Sequence, residues 1–153
     1  ELSLAASGGA DRTVKLWNLK SLDLVRTYRG PRDFITSVAI SPDGKHLAAS
    51  SLDGSIRLWS TNSRRQNRRF TGHQGAVNQV AFAPDSKHLV SAGRDGTVRL
   101  WDIGKRRAIR AYTGHTGEVK AARFSPDGKH LASVGSDGTL RLWRVPTSFS
   151  AGS

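Results

Sequence analysis

Two groups of side chains in this sequence have the composition of a hydrolytic triad. Each group contains a histidine, a serine and an aspartate: His73, Ser91 and Asp95 in the first, and His115, Ser133 and Asp137 in the second. A serine hydroxyl becomes a nucleophile when a histidine accepts its proton and a carboxylate orients the imidazole ring. The residue types therefore raise acyl transfer as one hypothesis, which requires exposed serines and an oxyanion hole beside them.

The spacing of the two groups favours a structural role for them. Corresponding members are 42 residues apart, and a tryptophan, Trp101 or Trp143, follows each aspartate at the same distance. The sequence also lacks a Gly-x-Ser-x-Gly elbow, a GxxxxGK[ST] phosphate loop, an HExxH zinc motif and an EF-hand pattern. We therefore predict that the chain is not an enzyme and that it uses no metal and no cofactor.

A period of 42 residues organises the whole chain. It separates four tryptophans, and also three histidines that each follow a turn: Trp17, Trp59, Trp101 and Trp143, and His46, His88 and His130. Position in the repeat explains these histidines better than metal binding does. Self-similarity at a fixed period of this length is the sequence signature of stacked repeat units. The repeats leave no room for a second domain.

Each repeat predicts four short β-strands. In the third repeat, aliphatic, β-branched and aromatic residues recur through segments 76–82, 88–92, 97–101 and 108–112. Turn residues separate these segments, including Pro84-Asp85 and the dipeptide Asp95-Gly96, which is typical of a tight hairpin. A four-stranded sheet buries both of its faces only when neighbouring sheets stack on it. The predicted fold class is therefore all-β, a β-propeller of four-stranded antiparallel blades.

The repeat resembles that of the WD40 β-propeller family. The resemblance lies in Gly72-His73, Ser91, Asp95-Gly96 and Leu100-Trp101-Asp102, and again in Gly114-His115, Ser133, Asp137-Gly138 and Leu142-Trp143. It extends over residues 1–144, somewhat less than four repeats. The resemblance implies a closed propeller, usually of seven or eight blades, of which this chain supplies about half. It also implies that the propeller serves as a platform for other proteins.

The resemblance further implies a role for the two groups of polar residues. In WD40 repeats these residues form a buried tetrad, in which hydrogen bonds run from the aspartate through histidine and serine to the indole N–H. The tetrads expected here are His73, Ser91, Asp95 and Trp101, and His115, Ser133, Asp137 and Trp143. In the second repeat, Pro31 and Ala49 stand where the histidine and serine would be. We call this chain of hydrogen bonds the relay. We expect the blade of the second repeat to lack it and to be the least stable blade.

A binding face is implied by the same resemblance. In this family the loops that join successive blades share one face with the turns between the second and third strands. The side chains of these loops and turns differ between repeats, as a binding face requires. We predict that a protein or peptide partner contacts six residues there: Arg32, Leu52, Gln74, Arg94, Thr116 and Ser136.

The chain is strongly basic, with 24 lysines and arginines, 12 acidic residues and a formal net charge of +12. Eight of the cations, here called the basic rim, lie in and before the fourth strand of two repeats: Arg64, Arg65, Arg68, Arg69, Lys105, Arg106, Arg107 and Arg110. The rim could bind the phosphates of nucleic acid or of an anionic lipid surface. Alternatively, its charges keep outer strands from pairing with other chains. We favour the second interpretation, since no aromatic ladder accompanies the arginines.

The repeats do not complete a ring. We predict a partial blade over residues 1–30, blades over 31–72 and 73–114, a partial blade over 115–144 and a tail over 145–153. These units supply three, four, four and three strands, and Phe149 of the tail could support a missing outer strand. Open blade faces are apolar and prone to aggregation. We therefore expect a second copy of the chain, or the remainder of a longer parent chain, to cover them.

Composition also bears on where in the cell the protein is located. The chain has no cysteine, which excludes disulfides and fits a reducing compartment, so we favour a cytoplasmic location. No apolar run approaches the roughly 18 residues of a membrane-spanning helix. The chain begins at Glu1 and contains no methionine, so we expect that its natural start lies upstream.

Overall fold

The computed structural model describes residues 3–65 and 67–147. Within them the chain forms fourteen β-strands and no α-helix, which confirms the all-β prediction. None of these residues belongs to a helix long and apolar enough to cross a membrane. The cytoplasmic location stays a prediction. Most of the tail, including Phe149, lies outside the described residues.

Four antiparallel sheets, called blades 1 to 4 in chain order, contain these strands. Blade 1 consists of β1 (Leu4–Gly8), β2 (Val14–Asn18) and β3 (Leu24–Tyr28). Blade 2 consists of β4 (Ile35–Ile40), β5 (His46–Ser51), β6 (Ile56–Ser60) and β7 (Asn67–Phe70). Blade 3 consists of β8 (Val77–Phe82), β9 (His88–Gly93), β10 (Val98–Asp102) and β11 (Arg107–Tyr112). Blade 4 consists of β12 (Val119–Phe124), β13 (His130–Gly135) and β14 (Leu140–Arg144). In every blade, strands that are consecutive in the chain are hydrogen-bonded neighbours.

The hairpin between the second and third strands of each blade is closed by a short loop. In blade 3 the Gly93 N–H donates to the Thr97 carbonyl oxygen at 3.0 Å, so the loop contains the three residues 94–96. This agrees with a tight hairpin at Asp95-Gly96 between the predicted segments 88–92 and 97–101. Gly96 has a φ of +80° and closes the loop by donating its N–H to the Gly93 carbonyl oxygen. This left-handed position carries no steric cost for glycine.

The hydrophobic cores lie between blades, where each tryptophan packs against the preceding blade. Trp59, Trp101 and Trp143 each join two aliphatic side chains and an aromatic ring: Val14, Leu16 and Tyr28; Ile56, Leu58 and Phe70; and Val98, Leu100 and Tyr112. The three aromatic pairs have centroid separations of 5.4, 5.9 and 5.4 Å. Burying each aliphatic side chain contributes roughly 1.5–3 kcal/mol. Neighbouring blades therefore stabilise one another face to face.

The outer faces of blades 1 and 4 expose residues whose equivalents are buried inside the stack. Leu140 and Leu142 of blade 4 are 64% and 73% exposed, whereas the equivalent Val98 and Leu100 of blade 3 are fully buried. On blade 1, Trp17 is only half-buried. Each end of the stack therefore presents a surface with the residue pattern of an inner joint.

Candidate functional site

The first tetrad, in blade 3, joins separate parts of the chain by hydrogen bonds. His73 Nδ1 lies 3.1 Å from both carboxylate oxygens of Asp95. His73 Nε2 lies 2.7 Å from Ser91 Oγ, and Trp101 Nε1 donates to the same oxygen at 2.8 Å. Because an indole N–H can only donate, the Ser91 hydroxyl gives its hydrogen to His73 Nε2, and Nδ1–H donates to Asp95. The relay fastens the loop before β8 to β9, to β10 and to the turn between them.

Burial and hydrogen bonding set the charges of this tetrad. Burial lowers the pKa of His73, and the Asp95 carboxylate opposes that shift. Burial raises the pKa of Asp95, but donation from the Gln74 N–H and from the hydroxyl and N–H of Thr97 lowers it on balance. At neutral pH the imidazole is therefore neutral and the carboxylate ionised, as the relay requires.

Blade 4 repeats the arrangement. His115 Nδ1 lies 3.1 and 3.0 Å from the carboxylate oxygens of Asp137, and His115 Nε2 lies 2.8 Å from Ser133 Oγ. Trp143 Nε1 donates to Ser133 Oγ at 2.9 Å. Burial raises the pKa of Asp137, but hydrogen bonds, first among them those from Thr139, hold it well below its ordinary value. The two tetrads are therefore equivalent in geometry.

Both tetrad serines are withdrawn from solvent. Ser91 is fully buried and Ser133 is 2% exposed. Each hydroxyl oxygen already accepts from an indole N–H and pairs with an imidazole nitrogen. A substrate carbonyl cannot reach either oxygen in this arrangement, and the buried polar groups satisfy one another. The geometry supports a structural role for both groups.

Blade 2 keeps the two ends of the tetrad, Asp53 and Trp59, but lacks the histidine and serine between them. Pro31 and Ala49 offer no side chain for a relay, so none can form through these two positions. Asp53 still accepts from the Arg32 N–H at 2.8 Å and from the N–H and hydroxyl of Ser55 at 2.8 and 2.6 Å. The turn of blade 2 therefore remains tied to the loop before β4. The lower stability of this blade stays a prediction.

The six predicted contact residues lie at one end of the stack, here called the top face. Backbone hydrogen bonds join each blade-connecting loop to a β-turn: Leu52 N–H to Phe34 O at 3.0 Å, Arg94 N–H to Ala76 O at 2.9 Å, and Ser136 N–H to Glu118 O at 2.8 Å. The N–H groups of Arg32, Gln74 and Thr116 donate to the repeating aspartates Asp53, Asp95 and Asp137. Of the six side chains, five are exposed and Leu52 is half-buried. Whether they contact a partner stays a prediction.

The top face also carries an exposed aromatic ring that the sequence analysis did not select. Phe34 is 50% exposed, and its carbonyl oxygen accepts from the N–H of Leu52. The equivalent repeat positions hold Ala76 and Glu118. Alignment of the repeats could have found Phe34, because an aromatic residue replaces a small or charged one at a position on the top face.

A second unpredicted feature of the top face is the cluster around Glu118. Its carboxylate lies 2.9 Å from Lys120 Nζ, 3.2 Å from Asn78 Nδ2 and 3.7 Å from Arg94 Nε. The hydrogen bonds from Lys120 and Asn78 lower the pKa of Glu118. Arg94 of blade 3 is therefore paired with the loop that precedes blade 4. The contact between Arg94 and Glu118 joins neighbouring blades, so the spacing of residues within a repeat does not predict it.

The comparisons with known proteins agree with this architecture. The model of the family described as "WD domain, G-beta repeat" matches residues 2–18, 22–60, 64–102 and 106–144. The chain belongs to the WD40-repeat family. It is also similar to the "DDB1- and CUL4-associated factor 13" of Dictyostelium discoideum, with 40% identity over 48 residues. That match covers 31% of this WD40 chain and only 11% of the other protein.

The basic rim of this WD40 chain divides into two kinds of residue. Arg68 Nη1 donates to the Ile103 carbonyl oxygen of the next blade at 3.4 Å, and Arg110 lies over the Tyr112 ring at 5.2 Å. Lys105 Nζ lies 4.0 Å from a carboxylate oxygen of Asp102. The other members are exposed: Arg64, Arg65, Arg69, Arg106 and Arg107. Part of the rim therefore contacts the protein itself.

A cavity of about 680 Å³ lies at the end opposite to the top face. Its walls come from residues 83–85, 127–130 and 144–147, which are distant in sequence, and the repeat pattern did not predict it. Both acidic and basic side chains line it, among them Asp85, Asp127, Lys129 and Arg144. Across the described residues, no three His, Cys, Asp or Glu side chains are placed to bind a metal ion together.

Proposed function

We propose that this WD40 chain is a non-catalytic interaction scaffold that binds a protein or peptide on its top face. The observation that carries the proposal is the top-face geometry. Backbone hydrogen bonds fix three loops and three turns at one end, while their side chains differ between blades. A rigid frame with variable side chains suits specific recognition. The similar protein is named for association with DDB1 and CUL4, which also supports a protein partner.

Phe34 and Leu52 supply the centre of the proposed contact. They lie next to each other on blade 2, and Phe34 is half exposed. Aromatic residues and arginine are enriched in protein interfaces, and Arg32 and Arg94 lie on the same face as Phe34. Gln74, Thr116 and Ser136 would form the polar border.

Partner retention by matched variants tests this proposal. We expect Leu52→Asp to abolish retention of the partner from cell extract at high salt, and Arg94→Ala to weaken it. Leu22→Asp is the control, because Leu22 is 76% exposed in the turn between β2 and β3, away from the top face. Equal loss with Leu52→Asp and Leu22→Asp would contradict a top-face site.

The support for a non-catalytic role comes from the tetrads. Their serines are buried and already bonded to an imidazole and an indole. Any hydrolytic turnover of the chain should therefore survive Ser91→Ala combined with Ser133→Ala. Turnover that disappears in this folded double variant would overturn the proposal.

We further propose that a second copy of the chain covers the open blade faces. Leu142 is the repeat equivalent of Leu100, which packs in the joint with Trp143, and Trp17 is the equivalent of Trp143 on the other open face. Blade 1 of one copy could thus pack on blade 4 of another as blade 4 packs on blade 3. Such a head-to-tail contact closes into a ring or continues into a chain of copies.

Light scattering on a sizing column tests this association. We expect a dimer at both low and high salt, since apolar contacts are insensitive to screening, and a monomer for Leu142→Asp. Leu22→Asp should remain a dimer. A wild-type monomer would contradict self-association and favour the remainder of a longer parent chain as the cover.

A second candidate function is binding of nucleic acid or anionic lipid by the basic rim. The observation that favours it is the exposure of Arg64, Arg65, Arg106 and Arg107 at equivalent turns of successive blades. Replacing all four by Glu should then abolish binding to anionic vesicles or DNA at low salt, and wild-type binding should fall steeply as salt rises. Salt-independent binding would contradict this candidate.

A further inference from the structure

The joint between blades 1 and 2 concentrates three arginines around one loop. Arg57 on β6 is paired in register with Arg69 on β7. The Nη2 of Arg57 donates to the Gly30 carbonyl oxygen at 2.9 Å, so its guanidinium lies at the loop that contains Arg32. The Arg32 N–H in turn donates to Asp53 Oδ2 at 2.8 Å. Arg57 is thus flanked by Arg69 along the sheet and by Arg32 along the loop.

The repeats show which of these arginines the fold requires. Arg57 has an arginine equivalent in blade 3, Arg99, and in blade 4, Arg141. By contrast, the equivalents of Arg32 and Arg69 in blade 3 are the uncharged Gln74 and Ala111. Blade 3 forms the same sheet without these two charges, so they are additions to blade 2 that its architecture does not need.

The added charges oppose one another. Burial lowers the pKa of Arg57, the like charge of Arg69 lowers it further, and Arg32 contributes in the same direction. Asp53 opposes the shift, but its carboxylate already accepts hydrogen bonds from Arg32 and Ser55. Arginine stays charged in proteins and presents five donors suited to oxyanions. An oxyanion bound at this loop would offset the repulsion that the structure otherwise contains.

We propose that Arg32, Arg57 and Arg69 form a binding site for one phosphate monoester, carried by a phosphorylated side chain of the partner. The inference rests on the proposed function, because Arg32 belongs to the top face on which the partner binds. A phosphate monoester offers three acceptor oxygens and close to two charges to the arginines around it. A nucleic acid needs phosphate contacts repeated along a path, whereas these three side chains surround a single loop.

Calorimetric titration of the full chain with inorganic phosphate and with O-phosphoserine tests the site at constant ionic strength. The variant combines Arg32→Gln with Arg69→Ala and so introduces the residues that blade 3 has at these positions. The control combines Lys20→Gln with Arg123→Ala, which removes the same charge from exposed positions outside the top face and the basic rim. Thermal unfolding of both variants establishes that they remain folded.

We expect the wild type to bind both phosphate probes, and the Arg32/Arg69 variant to bind them at least about tenfold more weakly, because two charge-assisted contacts are lost. The control should change affinity less than about twofold, as screened charges distant from a site do. No saturable binding by the wild type, or equal weakening in the two variants, would overturn the site.

Comparison of the titrants identifies the chemical source of the phosphate group. Binding of inorganic phosphate without binding of O-phosphoserine would overturn the side-chain assignment in favour of free phosphate. Oligothymidylate that binds more tightly than O-phosphoserine, with several counterions released, would overturn it in favour of nucleic acid. Leu52→Asn, which adds no charge beside Asp53 and Arg32, should weaken retention of the partner and keep phosphate binding. The phosphate site and the scaffold proposal can therefore fail separately.

Discussion

The indole N–H of Trp101 donates to Ser91 Oγ at 2.8 Å inside a joint from which solvent is excluded. The chain contains the same hydrogen bond in a second setting, since Trp17 Nε1 donates to Ser7 Oγ at 2.9 Å on the open face of blade 1. There Ser7 is exposed. The protein thus offers one contact in a buried and in an open environment, and the two differ in burial and in the second bond of Ser91 to His73 Nε2.

Ser91→Ala should destabilise the chain far more than Ser7→Ala. The first change leaves the Trp101 N–H and the His73 Nε2 buried without a partner, at a cost of about 2–4 kcal/mol in the free energy of unfolding. Water replaces the lost oxygen after the second change, so we expect less than about 0.5 kcal/mol. Urea unfolding of both variants provides the measurement. Equal losses would contradict the view that desolvation gives the relay its importance.

Stability should decrease as the pH falls below about 6.5, the ordinary pKa of histidine. Burial lowers the pKa of His73 in the folded state, so the unfolded chain binds the proton first. The contribution of His73 to the free energy of unfolding is complete above pH 6.5. It is lost as the pH falls toward the folded-state pKa, by at most about 1.4 kcal/mol per pH unit. His73→Gln should flatten the profile between pH 7.5 and 5. An unchanged profile in the folded His73→Gln variant would contradict this prediction.

Gly54→Ala should be more destabilising than Gly138→Ala. Both glycines have left-handed φ values, +83° and +76°, which cost any other residue roughly 1–2 kcal/mol. A Cβ on Gly54 would also lie 2.9 Å from the Gly75 carbonyl oxygen, whereas nothing lies within 4 Å of one on Gly138. Denaturant unfolding of the two variants measures the difference. A larger loss for Gly138→Ala would contradict the role of the close backbone approach.

Arg12→Gly should stabilise the chain, in contrast to the two glycine substitutions. Arg12 occupies the repeat position of Gly54 with a φ of +64°, so glycine relieves backbone strain there. We expect a gain of up to about 1 kcal/mol, reduced by the greater freedom of glycine in the unfolded chain. The midpoint of thermal unfolding gives the answer. A lower midpoint would show that the Arg12 side chain stabilises the turn by more than its backbone strain costs.

Tyr112→Phe should loosen the contact between blades 3 and 4. The Tyr112 hydroxyl donates to the Arg144 carbonyl oxygen at 2.8 Å. Phe70 occupies the same repeat position in blade 2, where it packs on Trp101 without a hydroxyl, so the ring of the variant should remain in place. We expect a loss of about 1 kcal/mol and faster hydrogen exchange in β14. Unchanged exchange in β14 would mean that aromatic packing alone secures the end of blade 4.

Much of the fold was predictable because equivalent positions in the four repeats adopt the same local structure. A residue type that recurs at the same step, such as the tryptophan at 59, 101 and 143, must meet the same environment in each blade. This reasoning located the strands and the all-β class, and it explained Pro31 and Ala49 as a missing relay. It left the length of the turn at Asp95-Gly96 open, because the dipeptide alone does not distinguish a two-residue loop from a three-residue one.

By itself, the sequence determined the number of blades, the residues of each tetrad and the end of the stack at which the variable loops lie. The number of blades in the chain follows from periodicity, which a one-dimensional pattern carries completely, whereas the tetrads and the end with the variable loops were implied by the resemblance to the WD40 family. Only the tertiary structure decided that Arg68 contacts the Ile103 carbonyl oxygen, that Phe34 lies beside Leu52, and that Arg32 and Arg69 flank Arg57. The physical reason is that these contacts cross from one strand or blade to the next. Their partners depend on register and packing, and spacing along the chain specifies neither.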